Sequence, residues 1–402
     1  MKKYVIVVPD GAADYPIAEL GGKTIFEAAE TPNLDSIAIG GMLGLSKTVP
    51  ASLQPGSDVA MMAVLGYDPH KYYTGRAPIE AAAQGIEVSP SDWIFRCNLV
   101  TIQNETMADH SAGHISSEEG KVFIDALNAS FGNEQITFYP GVGYRHLLVV
   151  KGLDFDGTTT QPPHDMIGKS IESILPKGKN AEFLIDLIRK SRSLVENHEI
   201  NRERKKLGKN PASSIWLWGQ GRKAVLDSFE KKYGLKGAAI TAVDLVKGLA
   251  KLIDFDFIKV EGATGYFDTN YKAKGIAAIE ALRKYDVVLV HVEATDEAGH
   301  EGKAEVKKKA LESIDAQIIG PVLMELKKYS DWRILVMPDH PTPVSTKGHV
   351  GDPIPFAIGG SDIAPGARLP FSESNAAKTG IIFDPGYELM KAFLVPTRGG
   401  QA

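Results

Sequence analysis

The sequence predicts an α/β protein: a mostly parallel sheet flanked by helices, interrupted by a smaller inserted α+β domain. Three observations predict it. Short, apolar, β-branched runs alternate with amphipathic helical patterns, the signature of a parallel sheet covered on both faces. Acidic residues stand just past three of those runs. From about residue 88 to 212 the pattern breaks into shorter apolar runs separated by polar turns.

The first run is Tyr4 to Val8, leading to Asp10. After Met1-Lys2-Lys3 it resembles a signal n-region, but the apolar stretch is only a handful of residues and lacks a small-residue cleavage site, so it reads as a strand. Ser57 follows in Gln54-Pro55-Gly56-Ser57-Asp58-Val59-Ala60-Met61-Met62, where proline and glycine end a loop and the serine falls at an N-cap position. Simple capping would look the same. The functional version uses the same geometry, since free N–H groups at a helix start stabilise a phosphoryl dianion.

In the middle segment, Thr101 to Glu105, Lys151 to Thr160 and Pro162-Pro163 are polar or turn-forming. One clear helix, Ala181 to His198, precedes a basic stretch from Asn201 to Asn210. The core pattern is expected to resume with a strand at Ile215 to Trp218. It continues through a helical pattern at Arg222 to Tyr233, a strand at Val287 to Val292, a long helix at Lys303 to Lys328 and a strand at Arg333 to Met337. Within the long helix, Lys307-Lys308-Lys309 is mixed with Glu305 and Glu312, which suits a solvated face. The expected domains are therefore a discontinuous core, 1–87 and 213–402, and an insert, 88–212. The tail after Pro396 is expected to be disordered.

Composition bounds the function. The 402 residues suit about two domains, and 43% hydrophobic with 24% charged residues is ordinary for a globular protein. A net charge of −5 and a pI near 6.1 argue against nucleic-acid or membrane-surface binding. A single cysteine, Cys97, excludes internal disulfides and fits a reducing, cytoplasmic setting; in Ile94-Phe95-Arg96-Cys97 it reads as packing. No apolar run approaches the roughly 20 residues needed to span a bilayer. Oligomeric state is left open.

The chemistry lies in seven side chains at the ends of expected strands: Asp10, Ser57, Asp296, His300, Asp339, His340 and His349. Carboxylates and imidazoles are the usual ligands of divalent transition metals. Seven exceed what one tetrahedral ion takes and suit two ions sharing a serine oxygen. A neutral hydroxyl is a poor ligand and a poor nucleophile; bound to metal it ionises and becomes both. Asp296 and His300 stand four apart, on one face of a helical turn. Asp339 and His340 follow Pro338, where the chain leaves its strand and both can face one cavity. Any one of these residues could equally cap a helix or satisfy a local hydrogen bond. As a set they follow separate strands whose ends converge at one edge of a parallel sheet.

At these residues the chain resembles the cofactor-independent phosphoglycerate mutases, in particular their archaeal-type branch within the alkaline phosphatase superfamily. The resemblance runs through VVPDGAAD at Asp10, PGSDVAMMAVLGYDP at Ser57, TGRAPIEAAAQGI from Thr74 and PPHDMIGKSI from Pro162. It continues through NPASSIWLWGQG from Asn210, HVEATDEAGHEG from His291 and MPDHPTPV from Met337. It implies an alkaline-phosphatase-like core, with Asp10, Ser57, Asp339 and His340 around one divalent ion and Asp296, His300 and His349 around another. The ions would be manganese, zinc or magnesium. The implied reaction interconverts 3-phosphoglycerate and 2-phosphoglycerate, with Ser57 carrying the phosphoryl group and no 2,3-bisphosphoglycerate required. No nucleotide is expected either, since the GxxxxGK[ST] phosphate loop is absent.

The insert departs from the bacterial branch of that family. Asp109-His110-Ser111-Ala112-Gly113-His114 resembles its glycine-rich, histidine-bearing loop, but a clear arginine-aspartate pair is missing; Tyr144-Arg145-His146 and His164-Asp165 come nearest. The expected substrate-binding groups are Arg76, Asp109, His110, Arg145, His164, Arg202, Arg204 and Lys272, with Asp165 and His114 as candidate bases. For His110, His114 and His164, loop hydrogen bonding is the competing account. The insert is expected to close over the cleft and keep water from the phosphoserine. The alternatives are a related phosphotransferase acting on an alcohol such as homoserine, a phosphomonoester hydrolase on the same scaffold, and a non-enzymatic metal-binding module.

Overall fold

The computed structural model describes residues 2–394; the tail after Pro396 lies outside them. The chain divides into two units, 1–73 with 225–402, and 74–224.

The first unit is built on an eight-stranded sheet. Across it the strands run Ile382–Phe383, Met42–Ser46, Ile354–Gly360, Trp332–Val336, Lys3–Pro9, Val287–Val292, Gly237–Ile240 and Asp256–Phe257. Five of the seven pairings are parallel; Ile354–Gly360 is antiparallel to both its neighbours. The central strands Lys3–Pro9 and Val287–Val292 are buried almost throughout, which explains their continuous rather than alternating apolar sequence. Trp332–Val336, Lys3–Pro9 and Val287–Val292 are parallel neighbours, so their C-terminal ends open on one edge of the sheet.

The expected helix from Lys303 to Lys328 is broken in two. Ala304–Ile314 and Gly320–Leu326 are joined by a π-turn over Asp315–Ile319, in which Gly320 N–H reaches the Asp315 carbonyl. Pro321 has no N–H for the regular ladder, which favours the wider turn there. Lys307 is a second departure. It is buried rather than solvated, with its ammonium 2.8 Å from the Asp14 carboxylate and donating to the Ala13 and Thr342 carbonyls.

The second unit has an antiparallel sheet centred on Trp93–Gln103, which pairs with Ser214–Arg222, Arg145–Val150 and Thr106–Asp109; Ile136–Tyr139 completes it beside Arg145–Val150. Helices Ser117–Phe131 and Ala181–Glu196 bury Phe123, Leu127, Leu184 and Ile188 in a core with Phe95, Phe138 and Trp216. Ala77 and Ala81 of helix Arg76–Gln84 pack with Ile94, Leu147 and Val149 in a separate cluster.

Those two additions account for the difference from the expected boundaries at 88 and 212. Helix Arg76–Gln84 belongs with this sheet, and Ile215–Trp218 is one of its antiparallel strands rather than a strand of the parallel core. A short apolar run does not reveal which kind of sheet it joins. The strand continues to Arg222, so the helical pattern at Arg222 to Tyr233 contracts to Phe229–Tyr233.

Candidate active site

Three central strands deliver the site in the first unit. Asp10 follows Lys3–Pro9 directly, with its N–H donating 3.0 Å to the Val292 carbonyl of the neighbouring strand. Asp339 and His340 lie past Trp332–Val336, both fully buried. Asp296 and His300 sit on helix Ala294–Glu301, which starts where Val287–Val292 ends. Gly11 lets the first loop pass: its φ is +60°, and a Cβ there would lie 2.4 Å from Asp296 Oδ1.

Ser57 is the first residue of helix Ser57–Val64, with Gly56 rather than the serine as the cap. Val59 and Ala60 donate to the Gly56 carbonyl, so the serine hydroxyl is not consumed in capping. Instead Ser57 Oγ lies 3.1 Å from His340 Nε2. The imidazole tautomer follows from its other side. Thr342 Oγ1 donates to Asp296 Oδ1, which leaves it to accept from His340 Nδ1–H at 3.2 Å. His340 Nε2 therefore carries a lone pair toward Ser57, and burial lowers its pKa and keeps the ring neutral.

Two groups of ligand-type atoms converge here. Asp10, Asp339 and His340 form one, and Asp296, His300 and His349 the other, with the ligand atoms in each within 4.8 Å of one another. In the first, both oxygens of Asp10 and Oδ2 of Asp339 are buried without a hydrogen-bond partner. A buried acceptor left unmatched costs roughly 1–3 kcal/mol, and more when charged, so these atoms fit a bound cation better than a metal-free resting arrangement. In the second, His300 Nδ1–H donates 2.9 Å to the Lys347 carbonyl, which turns Nε2 inward to 2.9 Å from His349 Nε2 and 3.1 Å from Asp296 Oδ2. A carbonyl fixing one ring nitrogen so that the other faces a metal is the usual support for a histidine ligand.

The electrostatics fit the same pattern. Burial, then the charges of Asp339, Glu293 and Asp296, push the Asp10 carboxyl well above its ordinary range. Burial works against ionisation of Asp296 as well, but hydrogen bonds from His300 and His349 hold it well below that range. The same contact with Asp296 raises His300 to about 9.

Two further side chains join the cluster that sequence reasoning did not single out. His291 is in strand Val287–Val292 with Nε2 3.0 Å from Asp10 Oδ2, and Glu293 follows the strand; with Asp10 they make a third convergent group. The available signal was a histidine inside an apolar strand, with an acid just beyond it.

The second unit holds a different kind of cluster. His110 lies edge-on to Tyr144 and His164, and His164 edge-on to Trp218. Arg145 stacks on Tyr144, and His164 Nε2 is 3.7 Å from Asp165. Arg76 donates to Glu80. Arg96 is the residue missed here: buried, 2.9 Å from Glu80, and over the Trp218 ring at 4.2 Å. A lone arginine in the apolar run Ile94 to Leu99 was the signal for it.

Other expected binding residues serve the loop. Arg204 is 1% exposed, and its guanidinium is occupied by Glu119 and by the carbonyls of Ala112, Gly113 and Asn210. The carboxylate of Asp109 accepts from Ser111, Gly113 and Asn210. Against burial, those hydrogen bonds bring its pKa down to about 2. Through these bonds the two residues hold the segment 109–114 in place. His114 is exposed in that loop with a φ of 50°. Arg202 and Lys272 are exposed on helices and join neither cluster by hydrogen bond, ion pair or ring contact.

Among the described residues no helix is long and apolar enough to cross a membrane. A family model described as 2,3-bisphosphoglycerate-independent phosphoglycerate mutase matches residues 38–201. A mutase of that description from Methanosarcina barkeri is 51% identical over 94% of this chain and 95% of its own length. Another from Methanothrix thermoacetophila is 46% identical over 98% and 99%. Among solved structures, a Pyrococcus horikoshii protein matches with a TM-score of 0.82 and 31% identity, covering 100% of this chain and 99% of its own. The cofactor-independent phosphoglycerate mutase from Thermoplasma acidophilum matches at 0.67 and 27%, covering 98% and 99%. With that extent and identity, the chain belongs to the 2,3-bisphosphoglycerate-independent phosphoglycerate mutases.

Proposed function

We propose that this chain interconverts 3-phosphoglycerate and 2-phosphoglycerate by carrying the phosphoryl group on Ser57. The observation behind this is the Ser57 hydroxyl, at a helix start and 3.1 Å from the bare Nε2 of His340, inside a cluster of carboxylates and imidazoles. Asp10, Ser57, Asp339 and His340 would hold one divalent ion, and Asp296, His300 and His349 another. When bound, such ions supply Lewis-acid charge for a phosphoryl group and make a hydroxyl easier to ionise.

Ser57 gives up its hydroxyl proton as Oγ attacks the substrate phosphorus, and the phosphorus–oxygen bond to glycerate breaks. The released glycerate oxygen takes up a proton. Glycerate then reorients, its other hydroxyl loses a proton and attacks the phosphoserine, and Ser57 is regenerated. The amides of Ser57 and Asp58, which precede the first intrahelical bonds, stabilise the phosphoserine dianion. In the second unit, Arg145 and Arg76 bind the carboxylate and phosphate, while His110 and His164 bind glycerate hydroxyls. Asp165, paired with His164, moves the proton on and off the glycerate hydroxyl; His114 is the second candidate.

The test is to incubate purified, metal-loaded enzyme with 3-phosphoglycerate alone. The expected outcome is 2-phosphoglycerate without nucleotide or bisphosphoglycerate, and a phosphopeptide containing Ser57 in trapped enzyme. Turnover that requires ATP and an alcohol acceptor, or phosphate mapped to another residue, would reject the reading.

A further inference from the structure

We propose that Lys307 is a positioning residue for the ligand cluster. Its ammonium clamps the loop after Asp10 to the loop after Asp339 and His340, and through Thr342 it holds His340 on Ser57. This role rests on the reading of those groups as cation ligands.

Lys307 lies on helix Ala304–Ile314, remote in sequence from both loops, and is fully buried. An ammonium carries three N–H donors. Three acceptors meet it: Asp14 Oδ2 at 2.8 Å, the Thr342 carbonyl at 2.8 Å and the Ala13 carbonyl at 3.3 Å. Ala13 and Asp14 follow strand Lys3–Pro9, and Thr342 follows Trp332–Val336. Beside the ammonium the same two loops are joined directly. Thr342 N–H donates to the Gly11 and Ala13 carbonyls, Gly11 N–H to Asp339 Oδ1, and Val344 N–H to the Asp14 carboxylate.

Thr342 is where this clamp meets the chemistry. Its Oγ1 donates to Asp296 Oδ1 and accepts from His340 Nδ1–H at 3.2 Å, so one side chain touches a member of each ligand group. His340 Nε2 in turn is 3.1 Å from Ser57 Oγ. The hydrogen bonds of Lys307 reach neither Ser57 nor any proposed ligand, so it acts only through Thr342 and the two loops. Without the ammonium, Asp14 becomes an uncompensated buried charge and two carbonyls lose a donor.

The rival is an ion pair that serves folding alone, and the same sheet supplies the comparison. Arg333 is also buried, 2.8 Å from Asp362 and donating to the Ala392 and Phe393 carbonyls. It lies near the start of Trp332–Val336, at the opposite end of that strand from Asp339.

Full-length Lys307→Met and Arg333→Met are compared with wild type by dialysis over a range of free Mn²⁺ and by urea unfolding of the metal-free chains. Both variants should lose stability. Only Lys307→Met should bind Mn²⁺ more weakly, by about 10–100-fold, the usual cost of losing a residue that supports metal ligands. At saturating Mn²⁺ its kcat should fall with KM for 3-phosphoglycerate unchanged. Wild-type Mn²⁺ affinity in Lys307→Met, an equal loss in Arg333→Met, or a change in KM alone overturns the positioning role and leaves the mutase reading intact. A wild type that binds no Mn²⁺ rejects the cation reading and this role together. A wild type that binds Mn²⁺ without isomerising 3-phosphoglycerate rejects the mutase reading, and the affinity comparison still decides the role of Lys307. Should Lys307→Met fail to fold, Asp14→Asn, which removes the charge and keeps the side chain's shape, is read by the same Mn²⁺ titration.

Discussion

The two units hold their polar clusters in opposite ways. In the first, Asp10, Asp339 and His340 are completely buried at the ends of neighbouring parallel strands, and their spacing is set by the sheet register. In the second, Arg145, His164 and Asp165 are exposed, and only Arg96 beneath them is deeply buried. Ligand atoms for an ion must be held to within tenths of an ångström, which a sheet edge achieves. Groups that take hold of a substrate and release it each cycle must first be reachable from water. The first unit therefore spends folding energy on burying the charges of its cluster, and the second leaves Arg145, His164 and Asp165 accessible.

The largest effects should come from breaking the first arrangement. Ser57→Ala should lower mutase turnover on the order of 10⁶-fold, the scale seen when a covalent nucleophile is removed, while substantial metal binding remains. Asp339→Asn should cost roughly 10³-fold and lower the metal content measured by elemental analysis. In the second unit, Arg145→Ala and Asp165→Asn should each cost about 10–100-fold in kcat/KM with metal content unchanged. Equal metal loss in both units would erase the distinction between them.

Smaller effects concern stability. Arg204→Met leaves Glu119 and three carbonyls without their donor and should destabilise the chain by roughly 2–3 kcal/mol in urea unfolding. Arg202→Ala, two residues away on the same helix and exposed, should fall within about 0.5 kcal/mol of wild type.

His146 gives the last contrast. It is buried with Nδ1 accepting from Gly141 N–H, and burial lowers its pKa to about 3. Because the unfolded ring, near 6.5, binds a proton that the folded ring refuses, stability is full above about pH 6.5 and falls as pH drops toward 3. The slope is at most about 1.4 kcal/mol per pH unit from this group. His146→Gln should flatten the decline in melting experiments between pH 6.5 and 4; an unchanged slope rules the residue out as its source.

The first unit was the more legible in sequence because its logic is periodic. A run such as Tyr4 to Val8 announces a buried strand, and an acid after it announces a strand end at the ligand edge. What stayed hidden were charges whose partners are remote in the chain. Lys307 sits in a lysine run that reads as solvated, and only the fold brings Asp14 to it from 293 positions away. Arg204 reads as a substrate arginine in sequence, which shows its charge but not the four groups its guanidinium meets in the fold. Ile215 to Trp218 was recognisable as a strand, yet its sheet was decided by pairing with Trp93–Gln103, which no local pattern encodes.

The two candidate ligand groups also differ in their reach to water, and with ions bound this would set an order of exchange. The side chains of Asp10, Asp339 and His340 are 0% exposed, whereas those of His300 and His349 are 34% and 23% exposed. A chelator has a direct approach to one group, while the other opens only when the surrounding chain moves. Stripping of Mn²⁺-loaded protein should therefore be biphasic, a fast step from the Asp296–His300–His349 side and a slow one from the buried side. His349→Ala should abolish the fast phase and leave the slow one. The catalytic state would then be limited, after any spell of metal scarcity, by the exposed group alone, and the protein would keep half of its site assembled in readiness for the return of a single ion.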